Sequence, residues 1–318
     1  MSARRVIADI GGTNARFAIA ENGAYRALSH VAVRDYPTLQ DALSHYLSSL
    51  PQDMQPSIGV LAIAGPILGD EIQLTNQSWS FSIRATKDAL KLSALHVIND
   101  FAAVAMAIPY LAPEVCRPIG PVASKARGPI GAIGPGTGLG VGALVPDRDG
   151  WALLAGEGGH VTLPAVTAEE DAVIAMLRRR WPHVSAERVL SGPGLVVLYE
   201  TLCAIAGRPA QPFSPADVTD HAINGTDPAC VATFRLFCAM LGTVAGNLAV
   251  TIGATGGIYL AGGILQRFAD LFAASPFRAR FEDKGRFQSY LQRIPTILIM
   301  DESPALLGLA NYQERTAG

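Results

Sequence analysis

The sequence predicts an α/β protein of two related halves with a cleft between them. Three observations lead there. A strand, glycine turn, strand pattern opens the chain and recurs from residue 130; apolar runs of strand and helix length alternate; and no low-complexity linker interrupts them, so any boundary is a hinge in packed chain. The composition suits a fold of this size. Of 318 residues, 49% are hydrophobic and 16% charged, the balance of a chain with a large buried core rather than a disordered one.

The first copy of the pattern runs from residue 5 to 25. Residues 6–10 make a strand, Gly11-Gly12-Thr13-Asn14 a turn, residues 15–20 the returning strand and Asn22-Gly23 the next turn. A helix is expected over 38–50 and an apolar strand over 57–63, which stops at Gly65-Pro66. A strand over 95–98 meets Asn99-Asp100, natural caps for a helix over 101–108 that ends at Pro109. The second copy comprises a strand at 130–133, the turn Gly134-Pro135-Gly136-Thr137-Gly138 and a strand over 139–145. Beyond it, Thr167 and Glu170 predict a capping box for a helix reaching Arg180. Residues 227–251 read as a long apolar helix, and 257–263 as a strand breaking into a glycine turn. Ser303-Pro304 reads as the cap and first residue of a helix over 305–312.

Several function classes drop out. The net charge is −2 with no basic stripe, so a nucleic-acid partner is not expected. The cationic run Arg178, Arg179, Arg180 closes a helix, where it complements the negative end of the dipole. The cysteines (Cys116, Cys203, Cys230, Cys238) form no CxxC pair and no zinc spacing, and read as reduced, mostly buried thiols. Met1 leads straight into the first strand without a signal peptide, which predicts a cytoplasmic protein. Residues 236–266 carry no charge and are long enough for a membrane span. Their many glycines and Asn247 predict instead a buried helix, a turn and a core strand, so no membrane partner is expected.

The chemistry concentrates in a few short motifs. No Gly-Lys dipeptide occurs, which excludes a Walker A loop. A GxGxxA pattern at Gly138–Ala143 is followed by a strand where a dinucleotide fold needs a helix. Asp9-x-Gly11-Gly12-Thr13-Asn14 places an acid at a strand end, followed by free backbone N–H groups and a hydroxyl; Gly136-Thr137-Gly138 supplies a second such set. Successive N–H groups make an anion nest, and a carboxylate such as Asp9 suits Mg²⁺ held through water. Either loop alone reads equally well as a tight hairpin turn; the presence of both favours phosphate. Asn99-Asp100 caps a helix, and the same junction would hold a carboxylate rigid enough to act as a base. In Glu157-Gly158-Gly159-His160 the paired glycines oppose the helix that a Glu-x-x-His metal set requires. A Glu and a His on a glycine loop suit neighbouring sugar hydroxyls, beside the plainer reading of a lone satisfied histidine. Glu187 on its own reads as an ordinary solvated glutamate.

Taken together, Asp9-Ile-Gly-Gly-Thr-Asn-Ala-Arg, Asn76-Gln-Ser-Trp79, Ile98-Asn-Asp-Phe101, Gly134-Pro-Gly-Thr-Gly-Leu-Gly-Val, Gly156-Glu-Gly-Gly-His160 and Leu190-Ser-Gly-Pro-Gly-Leu resemble the bacterial glucokinase family, in order and along the whole chain. The resemblance implies the duplicated actin-like ATPase (ribonuclease H-like) fold shared with hexokinase and Hsp70. A smaller α/β domain would span 1–110 with 301–318, and a larger one 111–300. It implies that Asn99, Asp100, Glu157, His160 and Glu187 contact glucose, with Asp100 taking the proton of the 6-hydroxyl. Ala8, Asp9, Ile10, Gly11, Gly12 and Thr13 would hold the phosphates of ATP, with Mg²⁺ at Asp9, aided by Gly136, Thr137 and Gly138. Gly262 and Gly263 would lie at the adenosine. The repressor-and-kinase (ROK) sugar kinases share the Glu-Gly-Gly-His element but follow it with a cysteine-rich zinc motif. This chain has no cysteine between Cys116 and Cys203, so the resemblance is to the zinc-free group, whose members are commonly homodimers. Three other readings stay open at this point: a kinase for another hexose, a non-catalytic sugar sensor, and an actin-like or chaperone ATPase.

Overall fold

Four of the five residues from Val6 to Ile10 are apolar, and a strand of that kind is stable only where both faces are covered. The computed structural model, which describes residues 3–74, 79–121, 127–148 and 150–313, places it so. The chain forms two compact units: residues up to Ala112 together with those from Asp301 onward, and Pro113–Met300.

In the first unit the strands are β1 (Arg5–Ile10), β2 (Asn14–Glu21), β3 (Ala24–Ala32), β4 (Ile58–Ile63), β5 (Glu71–Gln73), β6 (Ser80–Ser82) and β7 (Ala94–Asn99). The main sheet has the order β3-β2-β1-β4-β7, with β5 and β6 forming a separate hairpin. Strand β1 is antiparallel to β2 and parallel to β4, and β4 is parallel to β7. The predicted helix after β3 is Leu39–Ser48, with the Thr38 hydroxyl accepting from the Asp41 N–H at 3.1 Å. It buries Leu39, Leu43 and Tyr46 against Phe17, Ile10 and Leu61. Trp79 joins this core and donates its indole N–H to the Tyr36 carbonyl at 3.0 Å. The rest of its motif, Asn76, Gln77 and Ser78, lies outside the described residues.

The helix Pro304–Ala310 completes this unit from the far end of the sequence. Gly308 lies so close to the Ala103 carbonyl that a Cβ would not fit. Asn311 donates to the Gly23 carbonyl at 3.0 Å, and Arg5 donates to that of Tyr312. The expected Ser303 cap is corrected: its side chain makes no cap bond, and its N–H instead donates to Asp301 at 2.8 Å.

The second unit contains β8 (Cys116–Pro118), β9 (Ile130–Pro135), β10 (Leu139–Asp147), β11 (Gly150–Ala155), β12 (Gly257–Leu260) and β13 (Thr296–Ile299), in the order β11-β10-β9-β12-β13-β8. Strand β9 is antiparallel to β10 and parallel to β12, which is parallel to β13. The run β11-β10-β9-β12-β13 therefore repeats β3-β2-β1-β4-β7 strand for strand. The duplication expected from two short hairpins is present in both sheets.

The uncharged stretch flagged in the sequence falls in the helix Pro228–Ile252, its αL cap at Gly253 and β12. By length and composition the helix could span a membrane, but 83% of its most apolar stretch is buried inside the unit. It serves as the core helix, capped at its start by the Asp227 side chain. The capping box expected at Thr167 forms by half. Thr167 accepts from the Glu170 N–H at 3.3 Å, but the Glu170 carboxylate reaches one residue further back, to the Val166 N–H, and pairs with Arg280. This helix ends at Leu177, so the arginine run follows it in a turn. Arg180 and Arg188 both lie over the Trp181 ring, at 4.6 and 4.7 Å from its centroid.

Candidate active site

In a sheet with parallel strands, ligands bind beyond the carboxyl ends of those strands, because the chain there turns away and leaves backbone and side-chain groups exposed. In the first unit β1, β4 and β7 end at one edge. Asp9 pairs with Ala62, and Ala62 with Ile98, so Asp9 lies two strands and two residues from Asp100. That separation is about 10 Å across the sheet.

Asn99 and Asp100 stand where β7 passes directly into the helix Asp100–Ala107. The Asn99 side-chain oxygen Oδ1 caps the helix, accepting from the Phe101 N–H at 2.8 Å and the Ala102 N–H at 3.1 Å. Its amide donates to the Gly65 carbonyl at 3.4 Å, which ties the end of β7 to the exit of β4. The Phe101 N–H also reaches Asp100 Oδ1 at 2.8 Å, so the carboxylate is held by the first turn of its own helix. The capping reading and the rigid-carboxylate reading describe one geometry.

Asp9 faces Arg16 across β1 and β2, and the pair closes at 3.1 Å. Burial raises the Asp9 pKa above its ordinary value, and the Arg16 guanidinium opposes that shift. Residue type alone gives Arg16 no role, although a four-residue turn places it opposite Asp9. The turn is less open than expected. The Gly11 N–H donates to the Asn14 carbonyl at 3.0 Å, leaving Gly12 and Thr13 to present backbone donors.

In the second unit the turn after β9 repeats this economy. The Gly136 N–H donates to the Gly138 carbonyl at 2.8 Å, so Thr137 and Gly138 present the donors. Gly262 follows β12 at the same edge, with φ of +104° and no room for a Cβ beside the Pro135 carbonyl. Above Gly136 and Gly263, by contrast, a Cβ would meet nothing within 4 Å, so the space over this edge is open. Backbone donors at a strand end beside open space suit a phosphate chain.

Glu157 precedes and His160 ends a single 3-10 turn, Gly158–His160, closed by the His160 N–H on the Glu157 carbonyl at 3.0 Å. Gly159 packs onto the Leu139 carbonyl and Gly158 against the Val141 side chain, with no room for a Cβ at either, which explains the paired glycines; Glu157 and His160 are exposed. The Ala186 N–H donates to the Val161 carbonyl at 2.8 Å, and the Leu163 N–H to that of Val184 at 3.0 Å. These bonds set the turn Ala186–Arg188 beside Glu157 and His160. The Glu187 carboxylate is half-buried and accepts the Leu139 N–H at 2.9 Å, which corrects its reading as a solvated glutamate.

A family model described as Glucokinase matches residues 6–316. The chain belongs to the glucokinase family. It is 64% identical over 311 residues to a glucokinase of Nitrobacter hamburgensis, covering 98% of this chain and 97% of that one. The crystal structure of a glucokinase from an Antarctic psychrotroph superposes with a TM-score of 0.88 at 38% identity, covering 98% of each chain. A glucokinase of Balamuthia mandrillaris, solved in complex with glucose, shares the fold at 21% identity and a TM-score of 0.78, covering 97% of this chain and 93% of that one. The architecture is thus the duplicated actin-like ATPase fold of the sugar kinases, and the chain is a sugar kinase.

Among the described residues no group of three or more His, Cys, Asp or Glu is placed to hold a metal ion. A Mg²⁺ ion here would depend on one carboxylate, water and the phosphates it accompanies, which is the usual manner of Mg²⁺. Asp9 fits that requirement, because Arg16 engages Oδ2 and leaves Oδ1.

Proposed function

We propose that the protein transfers the γ-phosphoryl group of ATP to the 6-hydroxyl of glucose, with Asp100 as the general base. The observation that carries this reading is the 64% identity to a glucokinase over nearly the whole of both chains. The local geometry supports the roles. Asp100 is fixed by the start of its helix, so its carboxylate is oriented before substrate arrives, and it accepts the proton as the sugar oxygen attacks phosphorus. Asn99, pinned by two backbone donors and Gly65, positions the same hydroxyl. Glu157, His160 and Glu187 hold further sugar hydroxyls. The backbone of residues 8–13 and 136–138 takes the phosphates, with Gly262 and Gly263 beside the adenosine. Asp9 would hold Mg²⁺, which supplies positive charge to the phosphate oxygens. This division explains how a chain without a phosphate-binding lysine motif can manage a triphosphate.

A cytoplasmic homodimer that uses neither zinc nor nucleic acid completes the proposal. Light scattering behind gel filtration tests the dimer. ADP release with Mg·ATP, measured across a panel of hexoses, tests the activity. Glucose-dependent turnover is expected; turnover with another hexose alone would reassign the substrate, and sugar-independent turnover would remove the kinase reading.

A further inference from the structure

We propose that Glu187 is also the brace of the phosphate turn, so that a sugar-side residue sets nucleotide affinity. This rests on the kinase reading above and concerns residues of the second unit alone. Among the described residues, the turn Gly136-Thr137-Gly138 is tied at three points. Gly136 closes it internally through the Gly138 carbonyl at 2.8 Å. The Gly136 carbonyl accepts from the Gly192 N–H at 2.8 Å. The Leu139 N–H, at the point where the turn re-enters β10, is taken by Glu187 Oε2 at 2.9 Å. That third tie alone is a side chain, and it carries charge, which makes it stronger than its neighbours. The carboxylate lies so near Gly138 that a Cβ there would strike Oε2. Glu187 is anchored in turn: the Ser191 hydroxyl donates to its carbonyl at 2.9 Å, and Ser191 caps the helix Gly192–Ile205.

One carboxylate oxygen therefore faces the phosphate turn, while Oε1 has no protein partner among the described residues and is available to a sugar hydroxyl. A single rigid group shared by two ligands couples their affinities, and the coupling is reciprocal. The sugar assignment alone predicts that Glu187 variants lose sugar affinity and nothing else. The brace predicts a second loss, dependent on the length and accepting power of the side chain.

The experiment is titration of Mg·ADP without sugar, and of glucose without nucleotide, into wild type, Glu187→Gln, Glu187→Asp, Glu187→Ala and Gly138→Ala. All are expected to weaken glucose binding, including Gly138→Ala, which displaces Oε2 while removing no sugar contact. For Mg·ADP, Gln retains an accepting oxygen at the same reach and stays within about threefold of wild type. Ala and the shorter Asp weaken it about tenfold, the effect of losing one charge-assisted hydrogen bond. Should Ala fail to fold, Asp against Gln decides. Mg·ADP binding as tight as wild type in Asp and Ala overturns the brace while the sugar site stands. A wild type that binds neither ligand removes the kinase reading itself, and the brace with it.

Discussion

In the first unit the rung behind the glycine turn is an ion pair, Asp9 with Arg16; in the second unit the same rung is Gly134 with Gly140. The sheets repeat strand for strand, yet charge enters the two turns by different routes. The first turn has its carboxylate, Asp9, on the strand that enters it, paired across the hairpin with Arg16 seven residues on. The second takes it from 48 residues away, on a separate turn. Duplication preserved the backbone geometry that presents N–H groups and left each copy free to specialise. The proposed base and metal carboxylate sit in the first, and a turn braced by a carboxylate from outside it in the second.

Variants in the two units should fail in different ways. Asp100→Asn should lower kcat by about 10²–10⁴-fold with little change in stability, as loss of a general base does. His160→Ala, in the second unit, should raise the KM for glucose about tenfold and leave kcat within a few-fold. Steady-state kinetics separates them, and an Asp100→Asn enzyme with more than about a tenth of wild-type kcat would cancel the base assignment. Gly262→Ala imposes a positive φ on a side chain and drives it into the Pro135 carbonyl. A loss of about 2 kcal/mol follows, visible as a lower melting temperature; an unchanged one would mean that the two strand ends are loosely joined.

The smallest effect is a pH dependence confined to the first turn. Because burial raises the Asp9 pKa above 3.8, the folded chain holds this proton more tightly than the unfolded chain. This group's contribution to stability is therefore fully present below about pH 4 and falls as pH rises through its folded pKa. Arg16→Met removes the opposing charge, so the decline should deepen and extend to higher pH. Melting temperatures of wild type and variant measured across acid to neutral pH check it; parallel curves would show that the pair carries no net charge coupling.

The sequence revealed the parts that depend on local pattern. Both hairpins, the helix that begins near Thr38 and the long core helix were legible because period and turn residue lie within a few positions of one another. The Asp9–Arg16 pair could have been read by counting the turn, since antiparallel register fixes the opposite residue. Glu187 could not. Its partner is the backbone N–H of Leu139, which has no signature in residue type, and the contact exists only after residues 161–163 and 184–186 have paired. Of the two caps that departed from expectation, the one at Thr167 did so for a similar reason. Arg280 together with the Val166 N–H drew Glu170 away from a reciprocal box, partners that the local motif does not reveal. At Ser303 the side chain makes no cap bond, and the structure gives no competing partner for it among the described residues.

The helix Pro304–Ala310 gives the order of synthesis a consequence. Strand β1 emerges from the ribosome first, yet the layer that covers it near Gly308 and Asn311 comes last. At typical elongation rates the intervening residues 113–300 take about 10–40 s to make. During that interval the leading segment has its sheet but not its lid, while the trailing unit can close on sequence already complete. The nascent chain is thus expected to mature from the middle outward, with its oldest strand finishing last.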